Sequence, residues 1–590
     1  MDIRSTLAST PLFGRLTPEA IDALAGGVVV QDIESGGVLF RTGEPADTLF
    51  IVVSGRMRAV LEDGAIAGDI GRGEPIGEIG LLAGEARSAT VYAVRDTQLL
   101  RIRREDLTQL MQQFPQALLE VTRVIIKRLR QNQRLRALES ARSSRVFAVV
   151  PATPDIDALA IAQMLQTQLA AGGGCVLLDE AAVNAAAGAG IAQTRFEDTV
   201  ANERLLEFLH KQEAQHEYLV YCAGRGFDPW MRRCMRQVDR ILVLARSDAP
   251  ALASPLLEEL KKSGTRAPVE LLLLRPEGAA PGDVMGWRNA CNARAHYFLR
   301  PENAHDSASL VRQLTGRGIG LVLGGGGARG FAHLGLVRAL HELNIPVDIV
   351  GGTSMGAFFG GLIACGYSFH EMTHIARETF VRNNYLNDYL FPTVSLIRGR
   401  KIVRRLREIF QDRQIEQLRT PFFCVSTNLT RGAPVVHDRG PLYMWLATSM
   451  AVPGWAPPVA YQGDLLVDGA VVNSLPTDVM QNLERGPIIA SDVSTEGDVS
   501  APGIEGPDPE GLFKWRSSTK RPGLLSIIFR TATLTSESGV AARAARATLY
   551  IRMPVTGIAL FDWKRLDEVS ERGYQYAMEK LSAVKSSLLR

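Results

Sequence analysis

Cysteine is scarce in this 590-residue chain. The six present, Cys175, Cys222, Cys234, Cys291, Cys365 and Cys424, are scattered, with no pair at C-x-x-C spacing. That excludes a disulfide framework and a cysteine zinc site, and it points to a reducing compartment. No apolar run reaches the roughly 18 residues a bilayer-crossing helix needs, so no transmembrane helix is expected. The opening stretch MDIRSTLASTPLFGRLTPEA has no apolar core, so no signal peptide is expected. Excess charge of one sign is lacking too. A net charge of +3 is too small to hold nucleic acid by bulk electrostatics, and no nucleic-acid partner is expected. What remains is ordinary globular composition, 46% hydrophobic and 22% charged, in a chain long enough for about three to five domains.

Residues 1 to about 115 read as β-rich. GGVLFRTGEPADTLFIVVSGRMRAVLEDG alternates short β-branched runs with Gly and Asp-Gly turns, the pattern of a small barrel. A helix is expected from Arg104 to Arg142, with Leu118, Val121, Ile125 and Leu129 on one stripe. Residues 121–145 carry eight Lys or Arg and one acid, Glu139. They suit either a solvated face opposite a dimer or domain seam, or attraction to an anionic membrane. From 145 to about 315, RVFAVV, GCVLLDE, HEYLVYCA, RILVLAR and VELLLLR alternate with helical segments, which predicts a parallel sheet in an α/β layer. A second α/β domain begins near Gly318. Residues 497–523 read as a long polar loop inside it, and a tail of helices closes the chain.

Three segments of the last domain carry chemistry. In VGGTSMGAF, Ser354 stands in Gly352-Thr353-Ser354-Met355-Gly356, between a β-branched run and a helix with small residues, the setting of a nucleophile elbow. In LVLGGGGARGFAH, glycines 324–327 let backbone N–H groups converge, as an oxyanion hole or a phosphate cradle requires. Gly325, Gly327 and Gly330 also spell G-x-G-x-x-G, and Asp348 lies at the distance of a ribose-binding acid, so a dinucleotide site is an alternative. In GDLLVDGAVVNSLP, Asp468 precedes Gly469 and Ala470 at the end of a short strand, where it can take the Ser354 proton or simply serve a turn. The last of nine histidines is His437, so none follows Asp468. Either an earlier histidine breaks the usual Ser-Asp-His order, or the site uses Ser and Asp alone, which asks for a carboxylate raised by burial.

Together, GGGGARG, GTSMG and DGA, with SMAVPGWAPPV ahead of the last, resemble the patatin-like phospholipases. The resemblance implies Ser354 as nucleophile and Asp468 as base. It implies an oxyanion hole from the amides of Gly325, Gly326 and Gly327, within a loop that includes Arg329 and Gly330. It implies hydrolysis of lipid carboxylic esters through an acyl-serine, without a metal or other catalytic cofactor. Arg329 either holds the loop or meets an anionic head group.

A second chemistry lies in PIGEIGLLAGEARSATVYA, residues 75–93. Arg87 can fork onto a cyclic phosphate, Ser88 can donate to the same oxygens, and Glu78 can accept from a ribose 2′-OH. Gly77 and Gly80 permit close approach. A surface Glu–Arg bridge is the plainer alternative. The segment from about Leu12 to Arg130 resembles the cyclic nucleotide-binding domain of catabolite activators and cyclic-nucleotide-dependent kinases, and the R-S-A form favours cAMP over cGMP. The middle region resembles the later strands of partitioning-type ATPases, but VVPATPDIDALA lacks a phosphate-binding G-x-x-x-x-G-K-[ST], so a nucleotide-free scaffold is expected.

The layout resembles the neuropathy target esterase type. The expectation is a multidomain α/β chain in three parts. Residues 1–142 form a cyclic nucleotide-binding β-barrel with helices, 143–316 a degenerate P-loop-like α/β domain, and 317–590 a patatin-like α/β hydrolase. The expected protein is a cytoplasmic serine esterase of phospholipids or lysophospholipids, regulated by a cyclic nucleotide. It would be peripheral at the inner membrane face and able to form a homodimer. Membrane contact is expected from helix 121–145, the basic stretch LIRGRKIVRRLREIF, and the loop with Phe513 and Trp515. The alternative is a nucleotide sensor or interaction protein with weak or non-lipid esterase activity.

Overall fold

The computed structural model describes residues 3–589 except 65, 118–121, 123–144, 154, 225, 227, 252–254, 263–264, 277, 279–281, 384, 392, 496–498, 500–505, 509 and 511–522. The helical stripe, most of the basic run, and Phe513 and Trp515 therefore lie outside the described residues. The chain divides into two compact units, Met1–Gly316 and Arg317–Arg590. Among the described residues no helix is long and apolar enough to cross a membrane.

After two helices, Ile3–Ser9 and Pro18–Ala25, the first unit forms an antiparallel sheet of β1 (Val29–Ile33), β2 (Val38–Phe40), β3 (Thr48–Val60), β4 (Ile66–Ile70), β5 (Pro75–Ile76) and β6 (Thr90–Arg103). The long strands β3 and β6 pair with register shifts between Val52 and Met57, so both bend and enclose apolar clusters in the manner of a barrel. The helix after β6 runs only over Arg104–Gln113. It breaks at Phe114 because Pro115 disfavours helical geometry in the residue before it. The expected single helix to Arg142 is thus interrupted at its tenth residue, and helical residues resume at 115–117.

A parallel sheet follows, built of β7 (Val146–Pro151), β8 (Cys175–Leu178), β9 (Tyr218–Cys222), β10 (Arg240–Arg246), β11 (Val269–Leu274) and β12 (Ala295–Leu299), in the order β12-β11-β10-β7-β9-β8. Separate apolar clusters lie on its two faces. Five strands match the apolar runs read from the sequence. β12, AHYFL, went unread because its polar and intermediate residues mark an edge strand with one partner, β11.

Among its described residues the second unit has eight strands: β13 (Gly320–Leu323), β14 (Ile349–Thr353), β15 (Phe422–Asn428), β16 (Ala433–His437), β17 (Val459–Tyr461), β18 (Asp464–Asp468), β19 (Ile488–Asp492) and β20 (Leu549–Arg552). Their order is β17-β18-β15-β14-β13-β19-β20, with β16 also on β15. β13, β14, β15, β19 and β20 run parallel, whereas β16 and β18 oppose β15. The expected all-helical tail is corrected by β20. This four-residue edge strand is specified by pairing with β19 rather than by a strong pattern of its own.

Candidate functional site

Register in the second unit brings the distant motifs together. Thr353 at the end of β14 pairs with Val425 of β15, and the next residue of β15, Ser426, pairs with Asp468 of β18. Ser354 follows Thr353, so Ser354 and Asp468 reach the same level of the sheet, on opposite sides of β15. The Ser354 hydroxyl donates to Asp468 Oδ2 at 2.6 Å, across 114 residues of chain.

Ser354 has φ 55° and ψ −121°, a strained backbone for a residue with a side chain. The elbow glycines allow that turn. A Cβ on Gly356 would lie 2.1 Å from the Leu323 carbonyl oxygen, and one on Gly352 would lie 2.6 Å from the Gly356 backbone. Neighbours lock the geometry. The Ser354 amide donates to Ser449 Oγ at 2.9 Å, and Ser449 donates in turn to the Val425 carbonyl at 2.7 Å. Thr353 donates to the Asn473 carbonyl at 2.9 Å.

Asp468 is fully buried. Its Oδ1 accepts from the Ala470 amide at 2.8 Å, which accounts for the turn through Gly469 and Ala470. Burial pushes its carboxyl up to about 7, against the pull of the Ser354 and Ala470 hydrogen bonds. A carboxylate that takes a proton near neutral pH is suited to general-base work, so the low basicity of an ordinary aspartate is no obstacle here.

The glycine loop passes beside the pair, with Gly325 against Ser354. Its amides divide in use. That of Gly325 donates to the Ser474 carbonyl at 3.0 Å, so it is not available to an oxyanion, contrary to the expected set of three. The amides of Gly326 and Gly327 donate to no group among the described residues. Arg329 is buried and its Nη1 bonds Thr495 Oγ1, so it ties the loop to the segment after β19. Gly330 packs on Met355, the residue after Ser354.

Two residues at this site went unread in the sequence. Ser449 lies in SMAVPGW and fixes the elbow amide. His333 is buried in the helix Ala332–Glu342. Its Nε2 contacts the Gly324 carbonyl at 2.9 Å and must donate, so Nδ1 accepts from Ser491, 3.0 Å away. Burial lowers its pKa to about 4, so it is a neutral strut for the glycine loop. Its one sequence signal was a histidine inside an apolar helix. His437 is buried against Trp445, stacked at 4.0 Å, with Nε2 2.7 Å from Ser426 Oγ. It holds β16 to β15 and bonds neither Ser354 nor Asp468. Asp348 accepts from the Ile319 amide at 2.9 Å and ties β13 to β14, a structural use that removes the case for a ribose-binding acid.

A pocket of about 220 Å³ opens beside Gly325, Gly326 and Ala470, with Phe529 of the helix Leu524–Ser538 and Leu560 on its far walls.

In the first unit, Gly77 has φ 81° and precedes the short helix Glu78–Ala83. A Cβ there would collide with Arg87 Nη1. Glu78 and Arg87 are both buried, so they are no surface bridge. Arg87 donates to the carbonyls of Thr48 at 2.7 Å and Gly77 at 3.2 Å, and it lies 4.1 Å over the Phe40 ring. Among the described residues its Nε has no hydrogen-bond partner. Ser88 is exposed, and Gly80 packs on Ala46. Gly77, Glu78, Gly80, Arg87 and Ser88 line one cavity of about 630 Å³.

The same cavity is walled by the parallel-sheet domain, through Arg145, Glu213, His216, Glu217 and Asp239. Arg95 of β6 reaches across, 2.9 Å to Asp239 and 2.6 and 3.0 Å to the two oxygens of Glu213. Arg56 of β3 contacts both Asp69, at 3.0 Å, and Asp239, at 3.4 Å. Burial alone would raise Asp239, but Arg95, Arg56 and the amides of Arg145 and Val146 hold it below the usual carboxylate value. Arg95 and Asp239 were not read in the sequence, because each sits among other polar and charged residues, Arg95 before Asp96 and Asp239 before Arg240.

Comparison with known proteins accounts for all three regions. Residues 321–480 match the patatin-like phospholipase family, 30–114 the cyclic nucleotide-binding domain, and 143–317 the neuropathy target esterase family P-loop like domain. An uncharacterized NTE family protein of Mycobacterium tuberculosis is 31% identical over 99% of this chain and 97% of its own length. The chain belongs to the neuropathy target esterase family. Human patatin-like phospholipase domain-containing protein 6 is 31% identical over 92% of this chain and 44% of its own length. Lysophospholipase NTE1 of Mycosarcoma maydis is 28% identical over 96% of this chain and 34% of its own length. The chain thus spans less than half the length of these two larger members of the family.

Proposed function

We propose that the chain is a serine esterase that hydrolyses carboxylic esters of phospholipids or lysophospholipids through Ser354 and Asp468, under control of a cyclic nucleotide. The contact of Ser354 Oγ with a buried carboxylate whose pKa is raised to about 7 carries this reading. Ser354 Oγ attacks the ester carbonyl as its proton passes to Asp468. The oxyanion that forms faces the unused amides of Gly326 and Gly327. Collapse breaks the ester C–O bond. Asp468 returns the proton to the leaving alkoxide, and the acyl group stays on Ser354. Water then attacks the acyl-serine, gives its proton to Asp468, and releases the fatty acid as Ser354 Oγ regains that proton.

The cyclic nucleotide reading rests on the match over residues 30–114 and on Arg87 and Glu78 lining the 630 Å³ cavity. The Arg87-Ser88-Ala89 form favours cAMP. Regulation rests on the shared wall of that cavity: a ligand that prefers one arrangement of barrel and parallel-sheet domain shifts their balance through Arg95.

Purified protein assayed on a panel of phospholipids, lysophospholipids and short-chain esters, with and without cAMP, tests the whole reading. Lysophospholipid hydrolysis and fluorophosphonate labelling that both vanish in Ser354→Ala are expected, as is a rate change with cAMP that Arg87→Ala removes. Labelling that survives Ser354→Ala overturns the nucleophile. Activity confined to soluble esters, with no rise above the critical micelle concentration, favours the non-lipid alternative. Cell fractionation and light scattering test the proposed cytoplasmic, membrane-peripheral location and the homodimer.

A further inference from the structure

Two neighbouring elements of the second unit expose several large apolar side chains. In the loop between the helical residues ending at Arg382 and the helix Arg400–Phe410, Phe391 is 84% exposed, Val394 67% and Tyr389 62%. On the helix Leu524–Ser538, Leu524 is 71% exposed, and Ile527 and Ile528 are partly so. Both elements adjoin Gly454. The Leu396 amide donates to the Gly454 carbonyl at 3.0 Å and the Ile397 amide to that of Trp455 at 3.0 Å, while Ile528 packs over Gly454. Tyr389 also meets Trp455 edge-on, and Trp455 stacks on Phe561 at 4.7 Å.

This district borders the reacting groups. The chain that leaves Gly454 backwards reaches Ala451, whose carbonyl accepts from the Asp468 amide at 2.9 Å. Phe561 follows Leu560, a wall of the 220 Å³ pocket, and Phe529 of the exposed helix forms another wall.

Cations flank the apolar loop. Arg398, Arg400 and Arg404 are exposed, and among the described residues no carboxylate pairs them. The nearby acids are engaged: Asp388 accepts from the amides of Gly399 and Lys401, Glu408 pairs with Arg405, and Asp412 pairs with Arg407. Protruding aromatic and aliphatic tips beside unpaired arginines suit the interface of an anionic bilayer, where the tips enter the acyl region and the guanidinium groups meet phosphates.

We infer that Tyr389, Phe391 and Val394, the outer face of the helix Leu524–Ser538 and the arginines 398, 400 and 404 form the surface that seats this chain on anionic phospholipid, with the pocket mouth turned to the lipid. This inference rests on the esterase reading and names the membrane-facing side of that site. It places docking on residues that the basic pattern in the sequence marks only in part, since the apolar tips carry no charge signal.

The test uses the full chain with Ser354→Ala, so that lipid is bound without being consumed, sedimented with phosphatidylcholine vesicles with and without phosphatidylglycerol. Phe391→Asp with Val394→Asp should lower partition at least about tenfold on both vesicles. Arg398→Glu with Arg404→Glu should lower it at least about tenfold on the phosphatidylglycerol vesicles alone. On a Ser354 background, hydrolysis of a soluble short-chain p-nitrophenyl ester should stay within about twofold for both pairs, which also reports correct folding. Vesicle binding unchanged by both pairs overturns the inference. Loss of a concentration-dependent dimer with vesicle binding intact assigns the patch to a second copy and overturns it as well. If the unaltered chain cleaves no ester yet binds vesicles through these residues, the esterase reading fails and the docking surface stands.

Discussion

Two buried aspartates in this molecule have opposite fates. Among the described residues no cation flanks Asp468, and burial holds its carboxyl near 7. Asp239 is equally sealed, but Arg95 and Arg56 flank it and two amides donate to it, so it stays ionised. The first is poised to take a proton; the second is fixed as the centre of a charged joint between barrel and parallel sheet. Burial by itself therefore does not make an aspartate reactive. The countercharge decides, because a paired anion in low dielectric has no reason to bind a proton.

The largest effect that can break this contrast is on catalysis. Asp468→Asn keeps the shape and removes the proposed base, so kcat/KM on a lysophospholipid should fall about 10²-fold or more. In the parent, kcat/KM should rise with pH through about 7, as the carboxyl loses its proton. A flat profile from pH 5 to 9 would remove Asp468 from the role of base. His437→Gln should leave kcat/KM within about threefold, since it touches neither reacting group.

Next comes the joint. Arg95→Met leaves Glu213 and Asp239 short of a partner, and denaturant unfolding should show a loss of about 3–5 kcal/mol in the first unit. The Asp239 contribution is present above the unfolded carboxylate value of about 4 and is lost as pH falls through its lower native value. A variant as stable as the parent at pH 7 would mean that the ion pairs are replaceable by apolar packing.

A third effect is on ligand affinity. Arg87→Ala should weaken cAMP binding by roughly 1.5–3 kcal/mol, the scale of a hydrogen bond to a charged group, as read by calorimetry on the full chain. Glu78→Ala should do the same through the lost 2′-OH acceptor. Absence of heat with the parent chain would mark the cavity as a structural remnant.

The smallest effect sharpens the contrast by its sign. Asp468 is held near 7 against 3.8 for an ordinary aspartate, so between those values the native state keeps a proton that the unfolded chain has lost. Its contribution therefore declines as pH rises from about 4 to about 7. Asp468→Asn should melt a few degrees above the parent at pH 8, with the gap closing toward pH 4, whereas Asp239→Asn should melt below the parent at pH 8.

Reading the sequence alone was effective where local chemistry repeats in local pattern. Gly352, Gly356 and Gly77 declare turns that a side chain would obstruct, and five of six strands in the parallel sheet are short, mostly apolar runs. It failed at edges and joints. β12 and β20 are short strands with weak patterns, Pro115 cut a helix expected to run unbroken from Arg104, and Ser449 and His333 look like ordinary residues until a carbonyl or amide is set against them.

The amino-acid sequence by itself determined the three-part α/β organisation, the glycine turns and the presence of a serine elbow, because these depend on neighbours within a few residues. Only the tertiary structure decided that Ser354 and Asp468 meet across β15, that Gly325 spends its amide on Ser474, and that Arg95 pairs with Asp239 over 144 residues. Strand register and burial set those distances, and with them whether an aspartate carries a proton at pH 7. Both are properties of the packed whole that no stretch of chain encodes alone.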